Sequence, residues 1–150
     1  MLLRPRQKLF VERSLAALSI HQNTLGVAPT AAGKTIMLSA VAGEMIAASS
    51  AKACILAHRD ELIDQNKTKF ARVNPQVPSS IVDATEKSWG GQAVFAMVPT
   101  LSRVANLDDM PALDLLVIDA VAADQDDGGF GQLVHPAAEQ VRHGLFPEGV

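Results

Sequence analysis

Ala28-Pro29-Thr30-Ala31-Ala32-Gly33-Lys34-Thr35 constrains this chain more than any other stretch. A short apolar run at 25–28 precedes the loop, and an Ala/Met/Ile/Leu segment at 34–48 follows it, so the loop joins a strand to a helix. The general phosphate-loop pattern is G-x-x-x-x-G-K-[ST], and here Ala28 stands in place of the first glycine. In that setting the backbone N–H groups of Pro29–Gly33, proline excepted, turn inward toward phosphate oxygens. The N-terminus of the following helix adds partial positive charge. Lys34 reaches the β- and γ-phosphates, and the Thr35 hydroxyl suits Mg²⁺. Gly33 lets the backbone approach closely. The alternative is a chance Gly-Lys-Thr at a helix start, which the strand–loop–helix context disfavours.

The rest of the chain repeats that alternation. Leu9, Phe10, Leu15 and Leu18 predict a helix over 4–18. A strand is expected at 52–57, then a helix from an Asp60 N-cap to about Phe70. Ile81 and Val82 mark a short strand, 93–98 a better one, and 99–104 a short helix. Residues 113–119 are the most strand-like run. Apolar strands that alternate with helices predict an α/β fold: a mostly parallel sheet of about five strands, covered on both faces. Ligands of such sheets sit at the carboxyl ends of the strands. The loops at 29–33, 58–60 and 99–100, and the segment after Asp119, should therefore open on one edge. Beyond Asp119 the pattern fades into Asp124, Asp126, Asp127, Gly128 and Gly129, with no strong strand and one short helix near 137–145.

Composition narrows the function classes. The chain has 150 residues, enough for one core without staples. Cys54 is its single cysteine, which excludes an internal disulfide framework and a cysteine zinc cluster. His21, His58, His135 and His143 show no metal-ligand spacing. The longest apolar stretch, 36–48, contains Glu44 and is shorter than the roughly 20 residues of a membrane span. Arg4, Arg6 and Lys8 are not followed by the apolar core of a secretory signal, so a cytoplasmic chain with no membrane partner is expected. Net charge is −3, divided as +5 over residues 1–75 and −8 over 76–150. The basic half is compatible with phosphate ligands. With no Tyr and one Trp, a base-stacking platform is disfavoured.

Asp119 closes the best strand. In a phosphate-loop protein the acid at that place holds Mg²⁺; without the loop it would read as an ordinary strand-end Asp.

Four blocks in order then carry a resemblance. Leu3-Arg4-Pro5-Arg6-Gln7 resembles an L-R-P-x-Q element, and Ala28 to Thr35 an A-P-T-G-x-G-K-T loop. Leu56-Ala57-His58-Arg59-Asp60-Glu61-Leu62-Ile63-Asp64-Gln65 resembles L-A-H-R-x-E-L-x-x-Q, and Val94 to Arg103 a block ending T-L-S-R. Together the chain resembles the first RecA-like lobe of superfamily 2 DEAD/DEAH-box-type helicases, nearest to type III restriction helicase subunits. The resemblance covers about residues 3–119. It implies a three-layer RecA-like domain over 1–125; residues 126–150, which do not resemble the family, are expected to form a divergent, poorly packed tail. The resemblance implies ATP and Mg²⁺ as cofactors, with Lys34 and Asp119 catalytic and Gln7 on the adenine. It places Pro29, Thr30, Ala31, Ala32, Gly33, Lys34 and Thr35 around the phosphates, and Thr35 and Asp119 on Mg²⁺. It implies His58, Arg59, Thr100, Ser102 and Arg103 on a nucleic-acid backbone, DNA in preference to RNA. A second RecA-like lobe on another chain is the other implied partner.

Two departures qualify that activity. The family reads D-E-A-H where this chain reads Asp119-Ala120-Val121-Ala122, by substitution or by loss of four residues. The carboxylate that orients the attacking water is thereby absent, a loss of ~10²–10⁴-fold in rate. The S-A-T motif and the second lobe, with its arginine finger, have no counterpart in the sequence; such a finger contributes ~10³–10⁵-fold. The expectation is an ATP-binding lobe with impaired hydrolysis. The alternatives are a non-catalytic nucleic-acid- or partner-binding module and a truncated helicase remnant.

Overall fold

The computed structural model describes residues 2–29, 31–119 and 132–136, the last of these as backbone alone. Helix α1 spans Pro5–Ile20, with Pro5 in the first turn, where its missing N–H costs nothing. Strand β1 is Thr24–Gly26, and α2 is Lys34–Ser49. Strand β2 is Ala53–Ala57, α3 is Asp60–Val73, β3 is Ser79–Val82 and β4 is Ala93–Met97. A one-turn helix α4, Val98–Leu101, and a 3-10 turn, Val104–Leu107, lead to β5, Leu115–Ile118. Strand β6 is Gln132–Pro136.

One sheet carries all six strands in the order β1-β6-β5-β2-β4-β3. Strands β5, β2, β4 and β3 pair in parallel, with Ile55 of β2 opposite Phe95 of β4 and Val117 of β5. Strand β6 runs antiparallel to both β5 and β1. It follows that β1 points the same way as the four parallel strands. The carboxyl ends of β1, β2, β4 and β5 therefore share one edge, as the sequence predicted for the loops that follow them.

Two apolar clusters cover the sheet, which makes three layers. Leu115, Val117, Ile55 and Phe95 pack against Val41 and Ile46 of α2 and Ile63 and Phe70 of α3, with α1 behind them. Phe70 meets Phe95 edge-on, ring centroids 5.5 Å apart. On the opposite face Cys54, Leu56, Val94 and Leu116 pack under Leu101, Met110 and Leu113. Helix α2 is buried from Met37 to Gly43 because α1, α3 and the sheet enclose it. At Gly43 a Cβ would lie 1.9 Å from the Asn74 Oδ1, so glycine admits the end of α3. There Asn74 Nδ2 donates to the Ser39 carbonyl at 2.8 Å.

Some elements differ from expectation. Asp60 is the first residue of α3 rather than its N-cap; Arg59 holds the cap position in extended backbone, without a side-chain cap bond. Asp60 and Glu61 instead face the positive end of the helix dipole. The helix expected over 99–104 divides into α4 and the 3-10 turn. Strand β6 forms where no strong strand was expected, since Leu133 and Val134 are an apolar pair too short to read as one. The boundary at 125/126 and the helix near 137–145 lie outside the described residues.

Cys54 is fully buried mid-sheet, and loss of solvation pushes its thiol up to about 12. The native chain should therefore resist a thiol reagent at pH 8 and react fully once unfolded in guanidinium. Rapid labelling of the native chain would contradict this packing.

Candidate nucleotide site

The loop between β1 and α2 is tightly wound. The Ala32 N–H donates to the Pro29 carbonyl at 3.2 Å, and Met37 N–H to the Gly33 carbonyl at 3.0 Å as α2 begins. Ala31 (φ 65°) and Gly33 (φ 82°) both adopt the left-handed conformation. Such backbone turns successive N–H groups toward a common centre, an arrangement that binds anions. Lys34 and Thr35 form the first turn of α2, both half-buried. Thr30 lies outside the described residues.

Gln7 of α1 braces this loop. Its Nε2 donates to the Ala32 carbonyl at 3.0 Å, and its Oε1 accepts the Arg4 N–H at 2.9 Å. Both ends of the amide are thus engaged within the protein. A cavity of about 680 Å³ opens beside it, walled by Arg4, Arg6, Phe10, Val27, Pro29 and Met37 among others. Its lining is mainly apolar, with Arg4 and Arg6 among the residues that form it, a setting suited to a flat heterocycle bearing phosphates.

Asp119 follows β5 at the same edge. It is 7% exposed, and its N–H donates to the Leu56 carbonyl at 3.3 Å. Side chains alternate along a strand, so Asp119 shares a face with Leu115 and Val117, which pack with α2. The carboxylate therefore lies on the side of the sheet where the phosphate loop enters α2. Its Oδ2 accepts from Asn66 Nδ2 of α3 at 3.4 Å. Among the described residues no three His, Cys, Asp or Glu side chains cluster as a metal cage. The Thr35 hydroxyl and the Asp119 carboxylate are hard oxygen donors. They fit Mg²⁺, which takes one or two protein oxygens and completes its shell with phosphate and water.

His58 and Arg59 are exposed after β2, at the start of α3. Ser102 and Arg103 are exposed after α4, whereas Thr100 is only 7% exposed. The Ser102 hydroxyl donates to the Pro99 carbonyl at 2.7 Å, and Asn106 Nδ2 to the Thr100 carbonyl at 2.8 Å. A second cavity, about 390 Å³, is lined by Lys87, Pro99, Thr100, Arg103 and Asn106 among others. Sequence pattern does not single out Lys87, whose Nζ bonds the Asp83 and Ala84 carbonyls. Nor does it single out Asn66, a neutral residue one position beyond the matched block. Only its place on the apolar stripe of α3 could have marked it.

This edge defines a RecA-like, helicase-type ATP-binding domain. Residues 1–121 match the family model of the type III restriction enzyme res subunit, and the chain belongs to that family. Domains of this family generally use ATP and Mg²⁺. No curated protein matches the chain. No helix among the described residues is long and apolar enough to cross a membrane.

Ala31 carries a Cβ in a conformation that costs an L-residue roughly 1–2 kcal/mol. Ala31→Gly should raise stability by up to about 1 kcal/mol, after the entropy glycine adds to the unfolded chain. Gly33→Ala should lower it, because the new Cβ would also meet Gln7 Nε2 at 2.5 Å. Thermal melts of the two variants should therefore move in opposite directions.

Proposed function

We propose that this domain binds Mg²⁺-ATP at the β1–α2 loop and hydrolyses it poorly. The observation that carries the reading is the common location of loop and acid: Gly33, Lys34 and Thr35 lie at the same sheet edge, and on the same sheet face, as Asp119. In this reading Lys34 neutralises the β- and γ-phosphates, and backbone N–H groups of the loop such as those of Ala31 and Gly33 hold their oxygens. Thr35 and Asp119 hold Mg²⁺, which when bound offsets phosphate charge. The adenine occupies the cavity beside Phe10 and Gln7, and Gln7 also supports the loop through Ala32. The stretch after Asp119, Ala120-Val121-Ala122, carries no water-orienting Glu, which supports slow turnover.

The second surface of the reading is a nucleic-acid backbone site, DNA in preference to RNA. His58, Arg59, Ser102 and Arg103 are exposed donors on loops of the same edge. Thr100 contributes less, being buried. A second RecA-like lobe on another chain would supply the arginine finger, and the cytoplasm is the compartment this reading assigns. The altered Asp119-Ala120-Val121-Ala122 stretch favours one further reading, a non-catalytic module that binds nucleic acid or a partner.

Calorimetric titration of Mg²⁺-ATP should give binding that Lys34→Ala abolishes; equal affinity in that variant would refute the site. In a phosphate-release assay the wild type should turn over ~10²–10⁴-fold below an enzyme with the full acid pair. Arg59→Ala and Arg103→Ala should each weaken binding to a single-stranded DNA oligonucleotide. Each should also reduce the log–log salt slope by ~0.7, the share of one neutralised phosphate on a single strand. DNA affinity that ignores ATP would favour the non-catalytic module.

A further inference from the structure

Helix α3 turns Ile63, Asn66 and Phe70 onto one stripe, three and four residues apart. Ile63 and Phe70 sit in the core beneath α2 and the sheet. Asn66 lies between them, 3% exposed, where packing alone calls for an apolar side chain. A buried amide is costly unless hydrogen bonded. The partner it finds is the Asp119 carboxylate, with Nδ2 to Oδ2 at 3.4 Å. A carboxylate accepts only, so the amide presents its NH₂ to it. Ile63 and Phe70 fix the backbone that carries the amide, one turn to either side.

We infer that Asn66 is a positioning residue for Asp119, orienting its carboxylate toward the metal of the bound nucleotide. The inference deepens the proposed function and rests on its reading of Asp119 as the acid that holds Mg²⁺. A carboxylate at the end of a strand can rotate about two side-chain torsions. A neutral donor on a rigid helix holds it in one orientation without competing for the cation, as a second carboxylate would. Groups that orient metal ligands in this way typically affect metal affinity about 10–100-fold. Asn66 has no group able to attack, or to take a proton from, a substrate, so its effect on the nucleotide passes through Asp119.

The test compares ATP affinity in Mg²⁺ with ATP affinity in EDTA, by calorimetry on the full chain. The readout is the ratio of the two, the gain due to metal. Asn66→Leu keeps the number of side-chain heavy atoms and suits the apolar stripe, so it should remain folded, as a melt will show. Asn66→Ala serves as the second variant, with a cavity in place of the amide. Both should lower the Mg²⁺-dependent gain about tenfold or more while leaving affinity in EDTA within about twofold. Asp119→Asn should abolish the gain. A purely structural Asn66 would shift melting and leave the ratio at its wild-type value. A wild-type ratio in both folded Asn66 variants, with the Asp119→Asn ratio abolished, overturns the inference and spares the metal site. If Asp119→Asn keeps the gain, or if Lys34→Ala binds as the wild type does, the underlying nucleotide reading fails and the inference falls with it.

Discussion

Parallel pairing of β2 with both β4 and β5 decides which loops can meet. In an antiparallel meander, successive loops would alternate between the two ends of the sheet. Here the crossovers return each strand to the same starting end, and β1 shares that direction although β6 separates it from β5. The phosphate loop, the His58–Arg59 turn, α4 and Asp119 are far apart in sequence and share an edge for this reason. The pairing itself depends on strands that can be buried on both faces. Ala53-Cys54-Ile55-Leu56-Ala57 is buried at every position and serves clusters on both sides of the sheet.

Helix α2 joins fold to site. It is one of the most enclosed elements of the described chain, and the phosphate loop is its N-terminal approach. Burial from Met37 onward fixes the helix axis, and the loop's left-handed residues fix how the chain enters it. Gln7 ties α1 to that entry through the Ala32 carbonyl. The loop is thus held from three sides, by β1, α2 and α1. A backbone anion site needs such support, since its donors are peptide N–H groups that work only when their directions are set before the ligand arrives.

Much of this is legible in the sequence because it is written in local pattern. The Gly33-Lys34-Thr35 triplet, the apolar strand runs and the Asp119 that ends one of them each declare themselves within a few residues. The rest depends on partners distant in the chain. Asn66 looks like an ordinary polar residue of an amphipathic helix until β5 is brought beneath it. The left-handed backbone at Ala31 is invisible because alanine carries no expectation of positive φ. Strand β6 has only Leu133 and Val134 as apolar residues, and pairing with β5 and β1 overrides so weak a local preference. The N-cap of α3 lies one residue before its expected place because Asp is favoured both at a cap and in the first helical turn.

The sequence around Asp119 separates two tasks that share one edge. In the proposed reading, holding a nucleotide calls on the loop, Lys34, Thr35 and Asp119, whose positions are set by β1, α2 and β5. Turning it over calls on a water-orienting carboxylate, which the Asp119-Ala120-Val121-Ala122 stretch lacks whether by substitution or by loss of four residues. Among the described residues Asp119 is held by its N–H on the Leu56 carbonyl and by Asn66, both of which lie before the altered stretch. On that reading, the order of the loop and of Asp119 does not depend on rapid hydrolysis. That order is the physical basis of the alternative reading, a binding module that needs no catalytic cycle.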